Sequence, residues 1–107
     1  VKLINPRNAT FDEIQSRLRG WRSRVYEALK VHGPCTTRQL ADRAGIDLLT
    51  VGPRIVELRE LHLVEQVGQE ISDGIHAGVF QAVAVSTAAR KFETLGPVAH
   101  AEQMQLC

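Results

Sequence analysis

The feature that most constrains this chain is residues 36–64, TTRQLADRAGIDLLTVGPRIVELRELHLV, where two short helical patterns stand almost without a linker between them. Thr36 with Gln39 three residues on forms a capping box, in which hydroxyl and side-chain amide satisfy donors that a helix start leaves open. Leu40, Ala41 and Ala44 give the first helix its apolar face, and Gly45 closes it in the left-handed conformation that glycine tolerates. Ile46 follows as an apolar plug. Beyond Asp47, the residues Val51, Ile55, Leu58 and Leu61 mark the buried face of a second helix by four-three-three spacing. Either Asp47 or Thr50 caps it. With Thr50, Pro53 falls in the first turn, where a missing N–H costs little; with Asp47, the helix should be irregular near Pro53. His62 ends it, as a side chain acceptable at positive φ. Helices joined this tightly must cross steeply, at ~90–120°, around a small residue such as Ala41.

Upstream, Phe11, Ile14, Leu18, Trp21, Val25 and Leu29 recur at three- and four-residue intervals, one face of an amphipathic helix. Thr10 and Glu13 read as the capping box that starts it, and Gly33-Pro34 as its stop. Gly20, costing about 1 kcal/mol inside a helix, leaves open whether this is one helix with a weak joint or two. Downstream the period shortens. Residues 63–67 and 79–85 read as strands, the second rich in β-branched and aromatic side chains. Residues 68–78, polar and glycine-bearing, read as the hairpin loop between them. Ser86-Thr87 would cap a last helix over Ala88, Ala89, Phe92 and Leu95, stopped by Gly96-Pro97. Residues 98–107 read as a frayed helix or a disordered tail.

With 107 residues the chain fits one domain, and its 44 % apolar content suffices for a single core. No apolar run approaches the ~20 residues of a membrane span, so no membrane partner is expected. The opening VKLINPRNATFDE has no signal-peptide pattern. Cys35 and Cys107 are too few and too distant for a disulfide framework, so a reducing, cytoplasmic compartment is expected, with Cys35 a small buried residue. His32, His62, His76 and His100 lie at no metal-ligand spacing, and read as surface or cap residues. With no glycine-rich phosphate loop and no nucleophile elbow, no enzyme activity, cofactor or metal is expected.

The order helix, helix, tight turn, helix, two-stranded hairpin resembles the winged helix-turn-helix DNA-binding family, in its short, bacterial and phage, MarR-like form. Leu40, Ala41, Gly45, Ile46 and Val51 match that family's spacing, TVGPRIVEL is similar to its recognition helix, and SDGIHAGVFQAV looks like its wing. The resemblance implies an α+β, mainly α fold. Residues 22–85 would be the winged domain, with a three-helix core and a two-stranded wing. Residues 1–21 would be an N-terminal helical extension, and residues 86–107 a C-terminal helix and tail. It also implies double-stranded DNA as partner, bound with the helix at about 48–62 in the major groove. One departure is that Ile75, not the arginine common in such wings, follows Gly74.

On that reading the DNA-contacting residues are Thr37, Arg38, Gln39, Thr50, Gly52, Arg54 and Arg59. Thr37, Arg38 and Gln39 open a helix whose free N–H groups suit a phosphate. Thr50, Gly52 and Arg54 face outward if Val51, Ile55 and Leu58 face the core. The Arg54 fork suits guanine O6 and N7; the alternative is a surface arginine paired with Glu57. Of Leu48 and Leu49, one would plug the core and the other touch a thymine methyl or a protein. The basic run Arg17, Arg19, Arg22 and Arg24 would track phosphates or form a solvated face. The stripe Phe11, Ile14 and Leu18 would pair a homodimer or pack on its own domain; the C-terminal tail is the other dimer candidate.

Electrostatics favour a rival. Net charge is only +1, residues 36–62 carry four arginines against four carboxylates, and residues 64–85 carry Glu65, Glu70 and Asp73 with no cation. DNA readers usually present a positive face. A winged helix used as a protein–protein module is therefore the alternative.

Overall fold

The computed structural model describes residues 6–96, so the tail expected over 98–107 lies outside the described residues. In chain order the elements are α1 (Pro6–Arg17), α2 (Gly20–His32), α3 (Thr37–Ala44), α4 (Leu48–Glu60), β1 (Val64–Ser72), β2 (Ile75–Ala82) and α5 (Val85–Leu95). This is an α+β, mainly helical arrangement with one antiparallel hairpin, a layout compatible with the winged helix.

The apolar stripe over 11–29 is two helices. Arg19 is extended and Gly20 has φ +53°, a conformation that suits glycine and breaks the helical phase. Before the joint Ile14 is buried; after it Val25, Tyr26 and Leu29 are. Trp21, expected on the same face, is instead 44 % exposed, with the Arg24 guanidinium 4.5 Å from its ring. Tyr26 takes the inward place and donates its hydroxyl to the Val83 carbonyl at 2.8 Å. Thr10 does not cap α1, which begins four residues earlier at Pro6; Glu13 pairs with Arg17 at 2.8 Å.

The expected capping box at Thr36 is present. The Gln39 amide donates to Thr36 Oγ1 at 3.1 Å, and the Thr36 amide donates to Gln39 Oε1 at 3.0 Å. Gly45 is left-handed at φ +69°, and Ile46 donates back to the Ala41 carbonyl. Asp47, not Thr50, caps α4, its carboxylate accepting from the Leu49 amide at 3.0 Å. The irregularity expected with that cap does not interrupt α4, which runs through Pro53 to Glu60. His62 is left-handed at φ +61°; its amide reaches the Arg59 carbonyl and that of Leu63 reaches Leu58, a Schellman ending. Neither Leu48 nor Leu49 plugs the core; both are exposed, and it is Ile46, partly buried, that packs against it.

The hairpin is longer than its composition suggests. Much of the loop expected over 68–78 is strand, closed by the two-residue turn Asp73-Gly74, both at positive φ. That turn type matches the right-handed twist of the flanking strands. Val67 forms a bulge between Gln66 and Gly68. At its root the hairpin is tied to the body, Cys35 and Phe80 exchanging amide–carbonyl bonds of 3.0 and 2.9 Å. β2 ends at Ala82, and Ala84 rather than Ser86 or Thr87 precedes the first turn of α5. Gly96, at φ +69°, closes α5 as expected.

One buried cluster joins α1 through α5. Leu40, Val51, Leu58 and Leu63 form its fully enclosed centre, and Ile14, Ala88 and Ala89 extend it to the terminal helices. Ile14, from the stripe considered for dimer pairing, is thus covered within this chain. No helix among the described residues is long and apolar enough to cross a membrane.

Candidate functional site

Because Val51, Ile55 and Leu58 anchor α4 to the core, its opposite side is set by helical geometry. Leu49, Gly52, Pro53 and Val56 lie there at spacings of three, one and three, with Leu48 beside them. Leu49 is 82 % exposed, Val56 40 % and Leu48 38 %. The displayed strip is apolar from Leu48 to Val56, and Glu60, four residues beyond Val56 on the same side, ends it with a carboxylate. Sequence reasoning followed the buried stripe and missed this second one, although the same periodicity writes both.

Of the candidate residues, Thr50 and Gly52 are half-buried at the edge of this strip. Thr50 donates its amide to the Asp47 carbonyl at 2.9 Å. A side chain added at Gly52 would meet nothing within 4 Å. Gly52→Ala is therefore expected to raise stability by about 1 kcal/mol through helix propensity alone. Thermal unfolding followed by circular dichroism checks it, and a lowered midpoint would mean that the position is not open.

Arg54 is engaged within the chain. Its Nη2 donates to Glu57 Oε2 at 2.6 Å, and the second oxygen of the same carboxylate accepts from Arg22 Nε of α2, also at 2.6 Å. Glu57 thus clamps α2 to α4. Burial alone would raise its pKa, but the hydrogen bonds and charges of the two arginines outweigh that and hold it below the ordinary glutamate value. Arg54 Nε is buried without a hydrogen-bond partner. The pairing with Glu57 considered from the sequence is present, and Arg22, 35 positions away, is an added member that spacing could not show.

At the start of α3, Thr37 is half-buried and Arg38 exposed, Arg38 making no hydrogen bond or ion pair among the described residues. Gln39 is engaged twice. Its oxygen completes the capping box, and its Nε2 donates to the Glu70 carboxylate of β1 at 3.1 and 3.3 Å. This contact spans a notch between α3 and the hairpin, in which Arg38 faces three carboxylates, Asp42, Glu70 and Asp73. Arg59, near the end of α4, lies with its guanidinium 5.4 Å from the Phe80 ring.

The structure thus brings Thr37, Arg38 and Gln39 together at one helix start, and Thr50 and Gly52 together beside the apolar strip. It commits Arg54 and Arg59 to internal contacts. Of the thiols, Cys35 is buried as expected; enclosure pushes its pKa up, and the weaker opposing pull of Arg43 does not reverse this. No protein-family model, curated protein or solved structure matches the chain.

Proposed function

We propose that the chain is a winged helix-turn-helix domain that binds double-stranded DNA without catalysing a reaction. The observation that carries this reading is the display of α4. Its exposed strip stands opposite the core, preceded in the chain by the capped start of α3 and followed by a two-residue-turn hairpin. A helix so exposed can enter the major groove. Thr37 and Arg38, at the open end of α3, then contact phosphate, which positions the helix without reading sequence. Base contact falls to the first turns of α4. It does not fall to Arg54, whose Nη2 is held by Glu57 and whose Nε is buried.

The test is fluorescence anisotropy with a random-sequence duplex at low and moderate salt. The wild type is expected to bind in the micromolar range with a strong salt dependence. Arg38→Ala should weaken binding to all sequences alike and reduce the salt slope by about 1. Absence of binding at low salt would overturn the reading.

A protein-docking module is the second reading. It is favoured by the carboxylates Asp42, Glu70 and Asp73 beside Arg38, where a phosphate backbone would have to pass, and by the apolar side chains Leu48, Leu49 and Val56 that α4 displays. Binding that is absent at low salt for wild type and Arg38→Ala alike is its expected signature.

A further inference from the structure

We propose that the notch between α3 and the hairpin is a docking site for a second copy of this chain, whose Trp21 and Arg24 enter it together. The notch has a volume of about 330 Å³, large enough to hold an indole ring. Ile75 and Ala77 of β2 form its apolar wall, with Ile75 69 % exposed, and Asp42, Glu70 and Asp73 supply three carboxylates. Arg38 offsets one of them, which leaves the notch with an excess of negative charge. Such a recess fits a partner that is apolar and cationic at once. Tryptophan and arginine seated in recesses of this kind supply much of the energy of protein contacts. The notch includes no residue of α4, so this proposal goes beyond the DNA-binding reading and does not depend on it.

The chain displays that partner on its own α2. Trp21 and Arg24, three positions apart, share the outer side of the helix and are both exposed. The guanidinium lies 4.5 Å from the indole ring, so the two present one apolar surface that carries a positive charge. Arg24 makes no hydrogen bond or ion pair among the described residues, whereas Arg17 and Arg22 of the same basic run are held by Glu13 and Glu57. Glu27, three residues beyond Arg24, is itself paired with Lys30 at 3.4 Å. Charge complementarity therefore selects the occupant: the acidic notch repels a phosphate backbone and attracts the one basic arginine of this run that has an aromatic ring beneath it. Neither Trp21 nor Arg24 lines the notch of its own chain, so the contact joins two copies, notch on one and helix on the other.

Trp21 is the only tryptophan of the chain, so its emission reads this surface directly. Emission spectra and sedimentation equilibrium are recorded over a dilution series reaching millimolar, for the wild type, Arg24→Glu, Asp42→Lys and the double variant. Both positions are exposed on helices, and circular dichroism checks that each variant keeps the fold. The wild type is expected to associate, its emission moving to shorter wavelength as the indole leaves water, and to dissociate as salt is added. Each single variant brings like charges together and should weaken association by about tenfold or more. The double variant exchanges the two charges and should regain most of the wild-type affinity. A wild type that stays monomeric throughout would overturn the proposal. Association with unchanged Trp21 emission, or association that both single variants leave intact, would also overturn it, because the copies would then meet elsewhere. Loss in the single variants without recovery in the double would do the same, since Arg24 and Asp42 would not face each other.

Discussion

Leu58→Ala is expected to lower stability by about 3 kcal/mol and the thermal midpoint by roughly 15 °C. Leu58 has no exposed surface and sits in the cluster with Leu40, Val51 and Leu63. Truncation removes its transfer free energy and leaves a cavity that helices crossing on both sides cannot fully close. Its main-chain carbonyl, which accepts from the Leu63 amide at 3.0 Å, is unaffected, so the loss comes from the side chain alone. Val56→Ala, two positions earlier on the displayed side of α4, is the control and should move the midpoint by no more than the ~0.5 kcal/mol usual for surface positions. Thermal unfolding of the two variants checks the pair. Equal losses would mean that the faces of α4 are assigned the wrong way round.

The second large effect belongs to the clamp between α2 and α4. Glu57→Gln removes the charge from two hydrogen bonds of 2.6 Å and leaves two guanidinium groups to share a neutral amide. Bonds to charged groups are worth about 1.5–3 kcal/mol each, but these side chains are partly exposed and screened, so a total of about 2 kcal/mol is expected. The effect depends on pH in a defined direction. Because the folded carboxyl has a lowered pKa, its contribution is fully present above the unfolded value near ~4.3, and is lost as pH falls through the folded value. The wild-type advantage over Glu57→Gln should therefore be constant at neutral pH and shrink on acidification below about pH 4. Denaturant titrations at a series of pH values measure it, and an advantage that grows on acidification would contradict the clamp. The variant retains some acid sensitivity. Glu65, held low chiefly by the Gln81 hydrogen bond and then by Lys91, contributes in the same direction.

What the sequence made legible, and what it did not, divides along the range of the interactions. Thr36, Gln39, Gly45 and His62 act on backbone within a few residues, and each does in the structure what its chemistry implied. Trp21 was placed on the inward face, and Tyr26 was not singled out, because a helical period carries no record of how far a positive-φ glycine turns the chain between two helices. Residues 68–78 read as loop because most of the outer hairpin is exposed on both sides and so lacks the apolar–polar alternation of a half-buried strand. The Asp73-Gly74 pair was the available signal, since it is among the strongest markers of a two-residue hairpin turn. The site shows the same division. Spacing placed Thr50 and Gly52 beside the displayed side of α4, and showed the Arg54–Glu57 pairing as one alternative. It could not show that Arg22 joins that pair, nor that Gln39 reaches across 31 positions to Glu70.

The reciprocal tie between Cys35 and Phe80 makes the hairpin a cantilever. Its root is clamped twice, there and where the Val83 amide meets the Leu63 carbonyl at 2.8 Å. Beyond Gln66, the residue opposite Phe80, β1 runs six more residues, about 20 Å, to the turn. A beam held at one end is stiff near its support and swings most at its tip; Lys91–Glu65 and Arg59–Phe80 brace this one close to the root, and the exposed Gln39–Glu70 contact braces it further out. Amide protons at Phe80 and Val83 should then exchange with solvent at the pace of whole-molecule opening, and those flanking Asp73-Gly74 orders of magnitude faster. An outside molecule gripping the tip would act with that full lever arm on the junction of α2 and α3.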